Sequence, residues 1–305
     1  MSELDDINAG WPDADRDAMP DDLRAELAAP ARRLVDPRTM PARLHHLRAA
    51  GQTGAHCLHA FQDEDGDTLA RRLGSGTHGL LLGKPVALWD EPAKSGKGKA
   101  KRDPRSEAWR EFQAANVGAV ILNAKEMDAA RRMVDAIMAC GPASRLLTAP
   151  GVIMEGTILF EQCGRRRQST PDLRRNSDAW GPSFNAEIKT GRDVSPWRFG
   201  VDAERMTYHA QLADQAAAIE AHTGKPPRES FIVAVESPRP HVVQVYEVER
   251  KDLDRGAQLC AAWLERLQLY EATNQWGGYS PGVLPLEFPI RGGYAIADDG
   301  DGGDA

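Results

Sequence analysis

Two spacings of apolar positions divide the chain. A spacing of three to four residues predicts helices over 42–51 (ARLHHLRAAG), 106–116 (SEAWREFQAAN), 124–140, 202–224 and 250–274. The segment 67–83 (DTLARRLGSGTHGLLLG) reads as a further helix or helix pair. In 124–140 the residues Met127, Ala130, Val134, Ile137 and Met138 fall on one face, with the methionines as core filler. Gly224, with prolines after it, ends the 202–224 helix. Strand character marks 151–162 and 183–190, and 165–173 is expected as the hairpin partner of the first. Two more strands, 230–237 and 241–249, flank a turn that contains proline. The order is helices, three strands, helix, two strands, helix. It predicts an α/β fold with a central mixed β-sheet flanked by helices and a helical N-terminal part.

Length and charge refine this picture. The chain has 305 residues and a formal net charge of −7. Residues 1–30 carry nine acids against two arginines, and 298–305 add four aspartates, so the intervening body is left at +4. Residues 1–40 are expected to form an acidic, loosely ordered segment, 41–290 a single domain, and 291–305 an acidic disordered tail. A mildly basic body can bind phosphates through a local patch. The Lys/Gly-rich stretch 91–106 (EPAKSGKGKAKRDPRS) reads as a flexible basic loop, either a plain linker or a loop beside DNA. No apolar run reaches membrane-spanning length and the N-terminus lacks a signal-peptide pattern, so a cytoplasmic location is expected. The four cysteines, Cys57, Cys140, Cys163 and Cys260, are widely separated, which predicts free thiols and not a metal cluster.

Candidate chemistry gathers in 169–193, STPDLRRNSDAWGPSFNAEIKTGRD. If their segments are neighbouring strands, Asp172 and Glu187 converge at one sheet edge. Two carboxylates facing one point repel unless a cation lies between them, and hard oxygen ligands suit a divalent ion. Alternation along a strand puts Lys189 on the same face as Glu187, and the carbonyl of Ile188 offers another oxygen. This layout suits metal-assisted hydrolysis of a phosphodiester, with Lys189 orienting or helping to deprotonate a water. Arginines crowd the same region. Arg165, Arg166, Arg174, Arg175, Arg192 and Arg198 are candidates for a phosphate track.

The succession of GSGTHG with His78, VIMEGTILF with Glu155, Pro171-Asp172, Glu187-Ile188-Lys189, and TYHAQ with Tyr208 and Gln211 resembles the PD-(D/E)xK nuclease superfamily. Within it the chain is similar to the RecE-type, exodeoxyribonuclease VIII-like exonucleases over roughly residues 40 to 275. The resemblance implies a restriction-endonuclease-like core. It also implies Asp172 and Glu187 as principal metal ligands, Glu155 as an accessory acid and His78 as a contact of a second ion. Lys189 would be the catalytic lysine, with Tyr208 and Gln211 steadying the lysine, the water or the scissile phosphate. One or two Mg²⁺ ions, or Mn²⁺ in their place, would be the cofactor. The activity implied is digestion of linear double-stranded DNA from its ends, 5′ to 3′. Implied partners are DNA ends, a single-strand annealing protein or recombinase, and other copies of the chain in a ring. The chain departs from the family pattern at Thr170, where Arg is usual, and at Gly83-Lys84, where an acid is usual. Alternatives are a structure-selective or CRISPR-adaptation-type endonuclease, and a non-catalytic DNA-binding or scaffold protein on the same fold.

Two other signals lead elsewhere. GSGTHG satisfies the dinucleotide-binding glycine pattern, but a charged helical stretch precedes it where a strand is required. No stretch completes the phosphate-binding loop of nucleoside triphosphatases.

Overall fold

The computed structural model describes residues 36–62, 68–90, 106–280 and 282–286. Residues 1–35 of the expected loose N-terminal segment, the expected C-terminal tail and all but the last residue of the basic loop fall outside them. After a 3₁₀ turn at Pro37–Thr39 come α1 (Leu44–Ala50), α2 (Gly54–Gln62) and α3 (Leu69–Leu82). The segment 67–83 therefore forms one helix. Thr68 caps its start by accepting from the Arg71 N–H, and Gly83 at φ 79° ends it. Next are β1 (Val86–Trp89), α4 (Glu107–Ala115), β2 (Val120–Asn123), α5 (Ala124–Ala139) and α6 (Gly141–Leu147). Asn123 and Glu126 cap α5 reciprocally, each side chain accepting from the other's N–H. The C-terminal half holds β3 (Ile153–Met154), β4 (Ile158–Gln162), β5 (Arg165–Ser169), β6 (Leu173–Arg175) and β7 (Phe184–Gly191). It continues with α7 (Pro196–Arg205), α8 (Tyr208–Thr223), β8 (Glu229–Glu236), β9 (Val243–Glu247) and α9 (Arg250–Thr273).

Five strands make the central sheet, in the order β3-β6-β7-β8-β9, with β7 and β8 parallel and the other neighbours antiparallel. Alternation along β7 assigns its faces. Phe184, Ala186 and Ile188 enter an apolar core with Met133, Ile137 and Leu147 from α5 and α6. Asn185, Glu187 and Lys189 take the opposite face, toward α8. On that side Ile232 and Ala234 of β8 pack with Leu212 of α8 and Phe199 of α7. A separate apolar cluster joins α1 and α2 to Leu264 and Leu267 of α9. The close approach of α8 and α9 needs Gly256, where a Cβ would collide with the backbone carbonyl of His209. Among the described residues no helix is long and apolar enough to cross a membrane.

Several expectations are corrected. The segment 151–162 is two strands, because Glu155 takes a left-handed φ of 51° and its N–H turns to the Asp172 carbonyl at 3.0 Å. β3 stays in the central sheet, while β4 forms the expected hairpin with β5 through Cys163 and Gly164, both at positive φ. The 165–173 segment also divides, with Leu173 starting β6. The 202–224 helix is broken at Thr207, φ 55°, so α7 starts earlier, at Pro196, and α8 is separate. On α5 it is Met133 that completes the buried face, and Met138 is exposed. β1 and β2, a parallel pair in register from Val86↔Val120, went unread because each is four residues long and half-buried. All four cysteines are free thiols, and burial pushes those of Cys57 and Cys260 up to about 12.

Candidate functional site

The site forms where the pairing of β6 with β7 runs out. Leu173 lies opposite Ala186. Continuing that register by one residue sets Asp172 opposite Glu187, just past the end of the β6–β7 ladder. One residue further, Ile188 faces Pro171, which has no N–H to give. The Ile188 backbone is satisfied by side chains instead. Its N–H donates to Asp172 Oδ2 at 2.8 Å, and its carbonyl accepts from His78 Nε2 at 2.7 Å. His78 Nδ1 then stands 3.5 Å from Asp172 Oδ1. Burial opposes charge on the imidazole, but the Asp172 carboxylate outweighs it and holds the His78 pKa above its ordinary value. Burial likewise opposes charge on Asp172, yet His78, Lys189 and the Ile188 N–H keep it below the usual carboxylate range.

Helix α3 brings His78 this close because it lacks side chains where it meets its neighbours. A Cβ on Gly74 would lie 3.1 Å from Thr190 Oγ1, and one on Gly76 would lie 2.6 Å from Leu122 Cδ1. The GSGTHG run is thus a helix-packing surface. Glu155 completes the cluster from its left-handed turn. Single donor atoms of His78, Glu155 and Asp172 all lie within 4.8 Å of one another. Glu155 Oε1 is buried and accepts no hydrogen bond, although Lys84 Nζ stands 2.7 Å away as an ion pair. Two carboxylates, an imidazole and the nearby Ile188 carbonyl are a donor set that fits a divalent ion.

Glu187 sits beside this cluster and is held by its own donors. Lys189 Nζ and Gln211 Nε2 each donate to Oε2 at 2.7 Å, and Gln215 Nε2 donates to Oε1. Burial and the charge of Asp172 push the Glu187 carboxyl up. Burial works against the Lys189 ammonium, but Glu187 and Asp172 raise its pKa, so it stays protonated. It acts here as a donor and a positive charge beside Glu187. Tyr208 offers its ring to the same ammonium, with the centroid 5.0 Å from Nζ. Gln215 was missed in the sequence, although it stands one helical turn from Gln211 on the same face. Its amide is fixed in turn by Asn185, which Ser230 holds at 2.6 Å.

His78, Ile188, Lys189, Tyr208 and Gln211 border one cleft of about 600 Å³, and Arg48, Arg71 and Lys84 line it too. These three were also missed, because they lie far from the acidic motifs in sequence. The expected arginine track is largely dismantled. Arg165 is buried against Glu271 at 3.0 Å and the Pro37 carbonyl at 2.7 Å. Arg175 is buried against the Pro182 carbonyl and the Phe184 ring. Arg174 is buried too, its guanidinium Nε and Nη1 without hydrogen-bond partners. Arg166, Arg192 and Arg198 are exposed, and Arg198 lies 3.7 Å from Asp202.

No family profile matches the sequence, and no curated protein matches it. Among solved structures the chain is similar to a "Putative exonuclease" from Eubacterium rectale, at 11% identity and a TM-score of 0.55, over 82% of this chain and 91% of that one. LHK-Exo in complex with dAMP matches at 15% identity over 68% of this chain and 94% of that one, but its TM-score of 0.28 carries no argument. At such low identity the first likeness speaks for the fold alone: the chain shares with that structure an α/β fold, a central mixed sheet flanked by helices.

Proposed function

We propose that the chain is a divalent-metal-dependent nuclease that hydrolyses phosphodiester bonds of DNA. The observation that carries this reading is the His78–Glu155–Asp172 cluster, opening beside Lys189 onto a cleft lined by cations, on a nuclease-like fold. Asp172, Glu155 and His78 would hold the ion, with the Ile188 carbonyl and Glu187 within the same pocket. When bound, Mg²⁺ or Mn²⁺, one or two ions, would supply the charge that polarises a phosphoryl oxygen and acidifies a water. Lys189, kept protonated by its acidic neighbours, would donate to a phosphate oxygen as negative charge develops there. Gln211 and Gln215 would fix the Glu187 carboxylate, and Tyr208 the ammonium. Arg48 and Arg71 would draw the DNA backbone into the cleft, with exposed Arg166, Arg192 and Arg198 available to flanking phosphates.

The finer reading follows the sequence resemblance. It is exonucleolytic digestion of linear duplex, 5′ to 3′, that leaves single strands for an annealing or recombinase partner, by a homo-oligomeric ring. End-labelled linear duplex and closed circular duplex, each with and without Mg²⁺, form the test. Mg²⁺-dependent loss of the linear substrate alone is expected, with 5′-labelled mononucleotide released first. Asp172→Asn and Lys189→Ala should each lower the rate at least about a hundredfold while DNA binding persists. Cutting of the circle would favour the endonuclease reading. Binding without cutting of either substrate would favour the non-catalytic one.

A further inference from the structure

Lys84 is the one strongly placed charge in the cleft to which the reading above gives no task. Its backbone is fixed on both sides. Gly83 before it ends α3 in a left-handed conformation, and Pro85 after it accepts at its carbonyl from Val120 N at 3.0 Å. The chain folds back along α3 so tightly that a Cβ on Gly79 would lie 2.5 Å from Val86 Cγ2, two residues after Lys84. The side chain is thereby aimed at Glu155 and reaches Oε1 at 2.7 Å. Lys84 is half-exposed and borders the cleft, as does Lys189 from the β7 side.

We propose that the Lys84 ammonium supplies the positive charge a second metal ion would otherwise bring, so that the His78–Glu155–Asp172 centre takes one divalent ion per chain. This rests on the nuclease reading and narrows its one or two ions to one. Local charge supports the count. Glu155, Asp172 and Glu187 bring three negative charges, and Lys84 and Lys189 return two. One divalent ion and one phosphodiester anion balance these five side chains. A second ion would leave an excess of two positive charges on these groups, beside the Lys84 ammonium that already contacts Glu155.

The test counts Mn²⁺ bound per chain, by calorimetric titration and by the free-Mn²⁺ electron paramagnetic resonance signal, on the full chain without DNA. Wild type, Lys84→Glu and Asp172→Ala are compared, each first shown to be folded by circular dichroism. The expected result is one ion in wild type, two in Lys84→Glu, and a weakening of at least about tenfold in Asp172→Ala. Two ions in wild type, or a count that stays at one in Lys84→Glu whatever its affinity, overturns the role of Lys84 and leaves the nuclease reading standing. Mn²⁺ binding that is absent, or indifferent to Asp172→Ala, overturns the metal centre and this inference with it.

Discussion

Arg167 and Asp214 hold the helix that shapes the site, and breaking that pair is the sharpest test of how the fold supports it. Arg167 of β5 is essentially inaccessible. Its guanidinium donates to Asp214 of α8 and to Gln162 of β4, and lies over the Phe160 ring at 5.2 Å. Asp214 is buried as deeply, and burial raises its pKa despite Arg167 and Ser169. Removing one partner leaves the other charge uncompensated in the interior. Arg167→Met and Asp214→Leu should therefore each cost about 3–5 kcal/mol, whereas the double replacement by apolar groups should recover most of that loss. The resulting coupling should be at least about 3 kcal/mol. Urea unfolding followed by circular dichroism at pH 7 measures all four corners, with a constant slope required for the comparison. α8 also carries Gln211 and Gln215, which hold Glu187. The single variants should consequently lose the proposed nuclease activity under conditions in which they remain folded. Additive single effects, or singles each costing less than about 1 kcal/mol, would refute the reasoning.

Further expectations concern pH, metal and packing. Burial, then the charges of His45, Arg43 and Arg165, lower the His46 pKa to about 3, while its Nδ1 accepts from the Arg43 N–H. The unfolded chain takes up a proton near pH 6.5 and the folded chain does not, so this contribution is complete above that pH and lost as pH falls toward 3. Between pH 7.5 and 5.5 wild type should lose about 1.4 kcal/mol that His46→Gln retains, and parallel stability profiles would count against it. Mg²⁺ at a hundred times its dissociation constant should stabilise wild type by about 2.7 kcal/mol, reversed by chelation and absent in Asp172→Asn, read as a shift of the denaturation midpoint. Gly256→Ala should destabilise by about 1–3 kcal/mol, since its Cβ meets the His209 backbone. Gly200→Ala, on α7 with open space around it, should stabilise by about 1 kcal/mol, and equal effects at the two glycines would contradict the packing argument.

What could be read from the sequence was regular, and what could not was the departure from regularity that makes the site. β7 was legible because its alternation is strict and because its acid and amine fall on one face. α5 and α9 were legible from long amphipathic repeats. The arginines of β5 misled because alternation turns Arg165 and Arg167 inward, against the rule that charged residues face water, and the Glu271 and Asp214 carboxylates, with the Pro37 carbonyl and Gln162, make that tolerable. Glu155 at φ 51° and Thr207 at φ 55° were invisible, since neither residue type predicts a left-handed backbone. Both lie beside the cleft: one aims a carboxylate at His78 and Asp172, and the other separates α7 from the helix that grips Glu187. Ile188 adds a third irregularity, a strand residue whose backbone is completed by side chains. Backbone conformations that cost of order 1–3 kcal/mol persist where surrounding contacts over-determine them, and such sites are commonly functional. The grouping of all three around one cleft is therefore a reason, independent of any sequence motif, to look for the chemistry there.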